Sequence, residues 1–301
     1  MTTNEWAAGA AYVDGQFMAL KDARLPVTEW GYRRSDVTYD VTSVYYSKFF
    51  RLQDHIGRFR ASMDKLRLNP KETNEDIEQI LQRLVGLTGF TEAYVAMDCV
   101  RSRPPRDKPL HPIHGRAYLI CHVMPWVWVF NPEQQARGVR AWVSSIERIA
   151  PESIDPTVKN FHWGDLTRAN FEAYDNGAET AILLDRQGNI TEGPGFNVFS
   201  IKDGVAITPR AGVLEGITRR SVLELCEEQG IPTQVRDVSR SEFELSDEVF
   251  LSTTAGGVMP VGSLNGKPLG SGGPGPLSSK LRELYWRKRE QGWYGTPVQY
   301  P

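Results

Sequence analysis

The sequence predicts an α+β fold, with two domains built from mixed sheets and flanking helices. Two patterns along the 301 residues lead to this prediction: short apolar runs typical of strands, and apolar residues at helical spacing between them. A third observation is the Pro-containing segment 131–133, after which strands and helices alternate. We therefore expect a small N-terminal α/β domain at residues 1–127, an interdomain loop at 128–133 and a larger C-terminal domain at 134–301.

The first predicted domain consists of strands and hairpins with two helices. Asp14-Gly15 supplies the positive φ angles that a tight hairpin turn requires. A helix is expected from Asp54, as its cap, to about Leu66, because apolar residues lie on one of its faces. A second helix is expected to begin at Asn74. The strands expected in this domain are 41–46, 49–52, 93–100 and 117–123.

In the second predicted domain, strands alternate with helices. The strands are expected at 139–146, 180–184, 198–201, 205–207, 233–238 and 248–251, and the helices at 161–174, 217–229 and 277–289. Asp203-Gly204 and Asn265-Gly266 indicate hairpin turns.

Composition excludes several function classes. The net charge of −2 gives no sign of a nucleic-acid-binding surface. The N-terminus lacks the basic and apolar regions of a signal peptide, and the three cysteines are odd in number and far apart, so we expect a cytoplasmic protein with reduced thiols. No metal site is expected, since His111 and His114 have no further His or Cys near them in sequence.

Two segments contain residues that can take part in covalent or acid–base chemistry. Lys159 stands in Asp-Pro-Thr-Val-Lys-Asn, directly before a predicted helix. A lysine is ordinarily a solvated cation, but one held among buried residues can lose its proton and bind an aldehyde cofactor covalently. Glu192, in Thr-Glu-Gly-Pro-Gly-Phe-Asn, either pairs with a cationic ring nitrogen or is a turn glutamate in water.

Two further segments favour an anion. Gly212–Arg220 leads into a helix, and the free amides of its first residues form a ready phosphate site. The alternative there is a plain N-cap by Thr218. In Ser252–Pro260, Thr253 and Thr254 offer further hydrogen-bond donors to phosphate, and the alternative is a glycine-rich turn.

In this order, the four segments resemble the class IV aminotransferases, the fold-type IV enzymes that depend on pyridoxal 5'-phosphate (PLP). The likeness extends to Gln-Asp-His-Ile-Gly-Arg58-Phe, where the family places a phosphate-binding arginine. The run Ser35–Val41 and the Trp163-Gly-Asp-Leu and Gly-Gly-Val-Met-Pro260 motifs are similar to those of (R)-selective amine transaminases. Two departures from that subfamily are Arg34, where it has histidine, and Val100–Lys108, which replaces its glycine-rich arginine loop.

The resemblance implies a role for each matched residue. Lys159 holds PLP and moves the substrate proton, and Glu192 pairs with the pyridine nitrogen. The C-terminal domain binds PLP, and the phosphate is held by Arg58, Gly216, Ile217, Thr218, Thr253 and Thr254. Tyr39 and Trp163 line the substrate pocket. From the chemistry of the basic loop 101–106 we further expect Arg103 or Arg106 to bind the keto-acid carboxylate, with Arg34 as the fallback. The alternative is that this loop is merely solvated.

The same resemblance implies a homodimer that moves an amino group from a primary amine, (R)-configured, to a 2-keto acid such as pyruvate. Two alternatives remain at this point. One is a branched-chain or D-amino-acid aminotransferase, which needs a carboxylate-binding group for its donor. The other is a PLP-binding protein without turnover.

Overall fold

A computed structural model describes residues 5–301, which divide into two compact units. The first unit runs to Val127 and also contains Val158–Phe161 and Arg289–Pro301. The second unit comprises Trp128–Thr157 and His162–Lys288. The sequence led us to expect two contiguous domains, and it did not predict that Val158–Phe161 and Arg289–Pro301 belong to the first unit.

A seven-stranded sheet forms the centre of the first unit. Its strands are β1 (Ala10–Val13), β2 (Gln16–Ala19), β3 (Val37–Tyr45), β4 (Lys48–Phe50), β5 (Ala93–Arg101), β6 (Ala117–Pro125) and the C-terminal β16 (Gly295–Pro297). The order across the sheet is β16-β4-β3-β5-β6-β1-β2, and every neighbouring pair is antiparallel. The predicted hairpin between β1 and β2 is confirmed, with φ angles of 48° at Asp14 and 94° at Gly15.

The helices of the first unit are α1 (Trp30–Arg34), α2 (Leu52–Lys65) and α3 (Asn74–Thr88). On α2, Ile56, Phe59 and Met63 are spaced to lie on one face, and all three are buried in the core of this unit. The predicted cap at Asp54 is wrong. The helix begins two residues earlier because Leu52 is itself a core residue, and Asp54 lies in the first turn.

The predicted start of α3 at Asn74 is confirmed. The Thr73 hydroxyl accepts a hydrogen bond from the Asp76 amide, and the Asp76 carboxylate accepts one from the Thr73 amide. This reciprocal pair satisfies two backbone donors that the helix itself leaves open.

A nine-stranded mixed sheet forms the centre of the second unit. Its strands are β7 (Val139–Glu147), β8 (Thr180–Leu184), β9 (Glu192–Gly193), β10 (Phe196–Lys202), β11 (Val205–Thr208), β12 (Thr233–Val235), β13 (Glu248–Thr253), β14 (Gly257–Leu264) and β15 (Lys267–Pro268). The main order is β12-β11-β10-β13-β14-β7-β8, with β9 on β10 and β15 on β14. The α+β prediction is confirmed.

The helices of the second unit are α4 (Pro132–Arg137), α5 (Gly164–Asp175), α6 (Ile217–Glu228), α7 (Arg240–Glu244) and α8 (Pro276–Glu290). Helix α4 begins inside the predicted loop 128–133. Asn131 caps it by accepting a hydrogen bond from the Gln134 amide, and Pro132 has its φ preset for the first helical turn. The expectation of a loop up to residue 133 is therefore wrong.

Two other predictions for this unit are corrected by strand pairing. Helix α5 begins at Gly164 instead of residue 161, because Asn160 forms an antiparallel bridge with Thr38 of β3 and holds this stretch extended. The glycine-rich run before Pro260 is a turn only at residues 254–256, since β14 begins at Gly257 and pairs with β13. Across residues 5–301, no helix is both long and apolar enough to cross a membrane.

Candidate active site

Lys159 lies against the open edge of β3 in the first unit. Its carbonyl oxygen accepts hydrogen bonds from the Tyr39 amide at 3.0 Å and from the Thr38 hydroxyl at 2.7 Å. Its Nζ atom lies 4.4 Å from the centroid of the Tyr39 ring. The structure thus brings together two residues that are 120 positions apart and that the sequence assigned to one site.

A buried carboxylate lies one residue along β3. Asp40 Oδ1 contacts Nδ1 of His55 at 2.7 Å, and both side chains are completely or almost completely buried. Arg58, the expected phosphate ligand, donates from Nε to Asp40 Oδ2 at 2.7 Å and from a terminal nitrogen to Oδ1 at 2.9 Å. This bidentate pair fixes the orientation of the Arg58 guanidinium group.

The charges in this cluster determine its protonation. Burial opposes ionisation of Asp40, but the positive charge of Arg58 and the hydrogen bond from His55 outweigh it and hold the pKa of Asp40 well below its usual range. Burial lowers the pKa of His55 from its ordinary value of 6.5, despite the nearby carboxylate. At neutral pH the cluster therefore contains a neutral imidazole, a carboxylate and a guanidinium ion.

The three arginines expected at the keto-acid carboxylate are all exposed. Arg34 stacks its guanidinium group on the Trp30 ring at 3.8 Å, and Arg103 and Arg106 lie in the loop after β5. The neighbouring Arg101 is buried instead. It donates to Asp36 at 2.8 Å and to the Leu66 carbonyl, which closes the C-terminal end of α2.

In the second unit, Glu192 is buried, and both oxygens of its carboxylate accept hydrogen bonds. Oε1 accepts from Nε and a terminal nitrogen of Arg148 at 3.3 and 3.1 Å, and Oε2 accepts from the Leu214 amide at 2.9 Å. Arg148 also donates to Asp165 at 2.7 Å. Sequence reasoning missed both Arg148 and Asp165. The available signals were an arginine just after the strand expected at 139–146 and the Trp163-Gly-Asp165-Leu motif, whose aspartate was given no role.

The Glu192 strand and the start of α6 are joined through Asn197. Its side-chain amide donates to the Leu214 carbonyl at 2.8 Å, and it lies opposite Glu192 in the β9–β10 pair. A Cβ atom added to Gly216 would lie 1.9 Å from Oδ1 of Asn197. Glycine is therefore required at this position by the close approach of Asn197.

Helix α6 begins without a side-chain cap. Gly216 occupies the N-cap position and makes no side-chain cap hydrogen bond, and Ile217 and Thr218 are buried. The first amides of such a helix, together with its dipole, favour an anion. The alternative of an N-cap by Thr218 is wrong, because Thr218 lies inside the helix.

Thr253 and Trp163 both contact the loop that follows Glu192. The Thr253 hydroxyl donates to the Gly195 carbonyl at 2.7 Å. A Cβ atom on Gly195 would lie 3.4 Å from the Trp163 ring, and this glycine has a φ angle of +80°. Thr254 follows in the turn between β13 and β14. The expected residues of the second unit thus surround one loop and one helix start.

The expected site residues are divided between the two units. Tyr39, Arg58 and Lys159 lie in the first, with the exposed Arg34, Arg103 and Arg106. Glu192, the α6 start, Thr253, Thr254 and Trp163 lie in the second.

Comparison with known proteins identifies the family of this chain. A family model described as "Amino-transferase class IV" matches residues 38–264, a range that contains Tyr39, Lys159, Glu192 and Thr253. The chain belongs to the class IV aminotransferases. It is therefore an aminotransferase, and enzymes of this family use PLP.

The relatives of this class IV aminotransferase include two kinds of enzyme. It is 28% identical over 299 residues to a branched-chain-amino-acid aminotransferase of Salmonella typhimurium, a match that covers 95% of this chain and 94% of the relative. It is 27% identical over 271 residues to a D-alanine aminotransferase of Bacillus licheniformis, covering 89% and 93% of the two chains.

The solved structures agree with the family assignment. The crystal structure of the Escherichia coli branched-chain amino acid aminotransferase superposes with a TM-score of 0.88 at 27% identity, and covers 93% of this chain and 94% of the other. The fold-type IV prediction is confirmed.

The donor groups of this chain fit PLP. A primary amine is needed for the aldehyde, a buried carboxylate for the pyridine nitrogen and backbone amides for the phosphate. Lys159, Glu192 and the uncapped start of α6 provide these three kinds of group.

Proposed function

We propose that this class IV aminotransferase moves the amino group of a branched-chain or D-amino acid to a 2-keto acid such as pyruvate. The observation that carries the proposal is the similarity, over nearly the whole chain, to relatives named for these two activities. The (R)-amine activity expected from the short motifs becomes the second candidate.

Lys159 is the residue that we assign to the reacting atoms. Bound PLP supplies an aldehyde carbon and an electron-accepting ring. The Nζ atom of Lys159 would hold that carbon and, once the donor amine has displaced it, would carry the proton removed from the substrate. The Tyr39 ring, 4.4 Å away, holds Nζ on one side of β3.

Glu192 has the role of holding a proton on the pyridine nitrogen. Arg148 and the Leu214 amide fix its carboxylate from two directions, so its orientation does not depend on the cofactor. Asp165 shares Arg148, which keeps the guanidinium group in place.

The phosphate is assigned to Gly216, Ile217 and Thr218 at the start of α6, with Thr253, Thr254 and Arg58. The Ile217 and Thr218 amides are the donors proposed there, because the Gly216 amide donates to the Leu214 carbonyl at 2.8 Å. Asp40 supports this assignment for Arg58. It accepts hydrogen bonds from two of the three guanidinium nitrogens and so aligns the group. Buried partners of this kind reduce the entropy that a flexible arginine loses when it binds phosphate.

The second candidate, an (R)-amine donor, is favoured by one structural observation. Next to Tyr39 across the sheet lies Asp98, an acidic residue, and Arg101 of the same strand is committed to Asp36 and a helix end. No arginine of β3 or β5 therefore lies beside Lys159 and Tyr39 to bind a donor carboxylate. A donor without a carboxylate does not need one.

A donor panel tests the proposal. (R)- and (S)-1-phenylethylamine, D-alanine and L-leucine are each offered with pyruvate or 2-oxoglutarate. Turnover of D-alanine or L-leucine supports the main proposal, and exclusive turnover of (R)-1-phenylethylamine replaces it with the second candidate.

Borohydride reduction followed by peptide mapping locates the cofactor. Label on Lys159 is expected, and label on a different lysine contradicts the site. Light scattering tests the homodimer that the family resemblance implies.

A further inference from the structure

A row of side chains crosses the first sheet beside Lys159. Tyr39 of β3 lies directly opposite Asp98 of β5, and Asp98 lies opposite Ile120 of β6. Directly opposite residues of an antiparallel pair point to the same face, with Cβ atoms about 4.5–5.5 Å apart. Lys159 lies opposite Tyr39 in the same way, through the bridge next to it. Lys159, Tyr39, Asp98 and Ile120 therefore follow one another on one face.

Asp98 has no counter charge within residues 5–301. Its side chain is partly buried, and burial raises its pKa to about 7, with no hydrogen bond or cation acting against the shift. His122, in the next row on this face, pairs with Ala96, and burial lowers its pKa, so that it is neutral above pH 7. An unpaired carboxyl in such surroundings costs stability, and groups of this kind concentrate at functional sites.

We propose that Asp98 selects amino donors that carry a second positive charge, such as a distal ammonium or guanidinium group. This inference rests on the proposed function, because it takes Nζ of Lys159 as the place where the donor amine arrives. The faces of Tyr39 and Tyr94 on this side of the sheet add aromatic contacts of the kind that attract cations.

The reach of such a donor matches the spacing of the row. The Tyr39 ring centroid is 4.4 Å from Nζ, and the Cβ atom of Asp98 lies about 5 Å beyond that of Tyr39. An extended chain covers roughly 3.5 Å for every three bonds. A spacer of three or four carbons spans about 5–6 Å between its two nitrogens, and a charge-assisted hydrogen bond of about 2.8 Å covers most of the remaining distance to Asp98. A distal carboxylate is repelled there, and an alkyl end leaves Asp98 unpaired.

Donors matched in size test this selectivity. Ornithine and norleucine have equal numbers of side-chain atoms and differ in a terminal ammonium or methyl group, and 1,4-diaminobutane and n-pentylamine form a second such pair. Both enantiomers of each amino acid are assayed with pyruvate at pH 8.5, where Asp98 is ionised. The enzymes compared are wild type, Asp98→Asn, Asp98→Glu and the control Glu92→Gln, which removes an exposed charge just before β5.

In the wild type, kcat/KM is expected to be about 10- to 100-fold higher for the charged member of at least one pair, the range of a charge-assisted hydrogen bond. Asp98→Asn should reduce this ratio at least tenfold, while Asp98→Glu and Glu92→Gln keep a preference for the charged donor. Thermal unfolding gives a second readout that does not depend on turnover. Addition of 10 mM 1,4-diaminobutane should raise the Tm of the wild type and not that of Asp98→Asn, and n-pentylamine should raise neither.

Three results overturn the inference. They are a wild-type preference for the donors without a second positive charge, a kcat/KM ratio within the pairs that Asp98→Asn leaves unchanged, or a rise in Tm with 1,4-diaminobutane that is equal in wild type and Asp98→Asn. A merely structural Asp98 would lower the Tm of Asp98→Asn without added amine and affect both donors of a pair equally. Turnover of D-alanine, L-leucine or (R)-1-phenylethylamine without charge selectivity refutes this inference alone. Failure of all donors refutes the proposed function, and the Tm comparison then decides the role of Asp98.

Discussion

Arg148 donates two hydrogen bonds to a single oxygen of Glu192, at 3.3 and 3.1 Å, while its remaining terminal nitrogen binds Asp165. The side chains of all three residues are at most 9% exposed. The proposed pyridine partner is therefore one end of a buried chain of three charges. Removal of the central cation leaves both carboxylates without the counter charge that Arg148 provides.

Arg148→Met is expected to lower the free energy of unfolding by about 3–5 kcal/mol, the cost of leaving a buried ion pair half complete. Arg148→Lys should lose less, because it keeps the charge but not the forked geometry. Urea unfolding measures both. Arg210→Met is the control, since Arg210 pairs with Asp237 at the surface, and its loss should stay below about 1 kcal/mol. An equal loss in Arg148→Met and Arg210→Met would contradict this account.

Gly216→Ala is expected to weaken PLP binding about tenfold, roughly 1.4 kcal/mol. The added Cβ atom displaces Asn197 and with it the start of α6, where the phosphate is assigned. Equilibrium dialysis with PLP and with pyridoxal separates the phosphate from the ring. Pyridoxal, which has no phosphate, should bind both proteins alike. Gly164→Ala is the matched control, because it also stands at a helix start and has open space around it.

His55 should make the protein less stable in mild acid. Its pKa is lower in the folded state than in the unfolded chain, so the unfolded chain takes up the proton first as the pH falls below about 6.5. The free energy of unfolding should then decrease by about 1.4 kcal/mol per pH unit until the folded-state pKa is reached. This loss is absent in His55→Gln. Urea unfolding between pH 7.5 and 5.5 measures it, and His114→Gln, at an exposed site, should behave as wild type.

Alanine at Arg103, Arg106 and Arg34 tests carboxylate recognition. One of the three variants should weaken use of the keto acid about 10- to 100-fold, the effect of a lost charge-assisted hydrogen bond. The half-reaction with an amine that has no carboxylate should be unaffected. Stopped-flow absorbance follows the two half-reactions separately. Arg33→Ala, exposed and adjacent to Arg34, serves as the control. If none of the three variants differs from Arg33→Ala, the carboxylate is bound elsewhere.

Local sequence signals predicted most of the fold. The turn at Asp14-Gly15, the start of α3 at Asn74 and the α6 start at Ile217 each depend on neighbouring residues, and all three were predicted correctly. The start of α5 was misplaced because the preceding residues pair with Thr38, far away in sequence. Local propensity contains no information about such a partner.

The same distinction applies to the candidate site. Lys159 and Glu192 stand in motifs that mark them directly. No role was predicted for Asp40, although it lies in the run Ser35–Val41, or for Arg148. Their importance comes from partners 18 and 44 residues away, Arg58 and Glu192. Asp98 was also missed, since only the register of β3 and β5 places it beside Tyr39. A charged residue inside an apolar strand is a weak signal until its neighbours are known.

The last strand of the chain, β16, occupies the outer edge of the first sheet next to β4, and the Pro297 carbonyl accepts a hydrogen bond from Gln82 of α3. During synthesis, β4 emerges about 245 residues before its partner does. The nascent first unit therefore carries an open strand edge at β4 until β16 has been synthesised. Open edges invite pairing with other chains, so a nascent chain in which β4 has been made and β16 has not is exposed to aggregation through this edge.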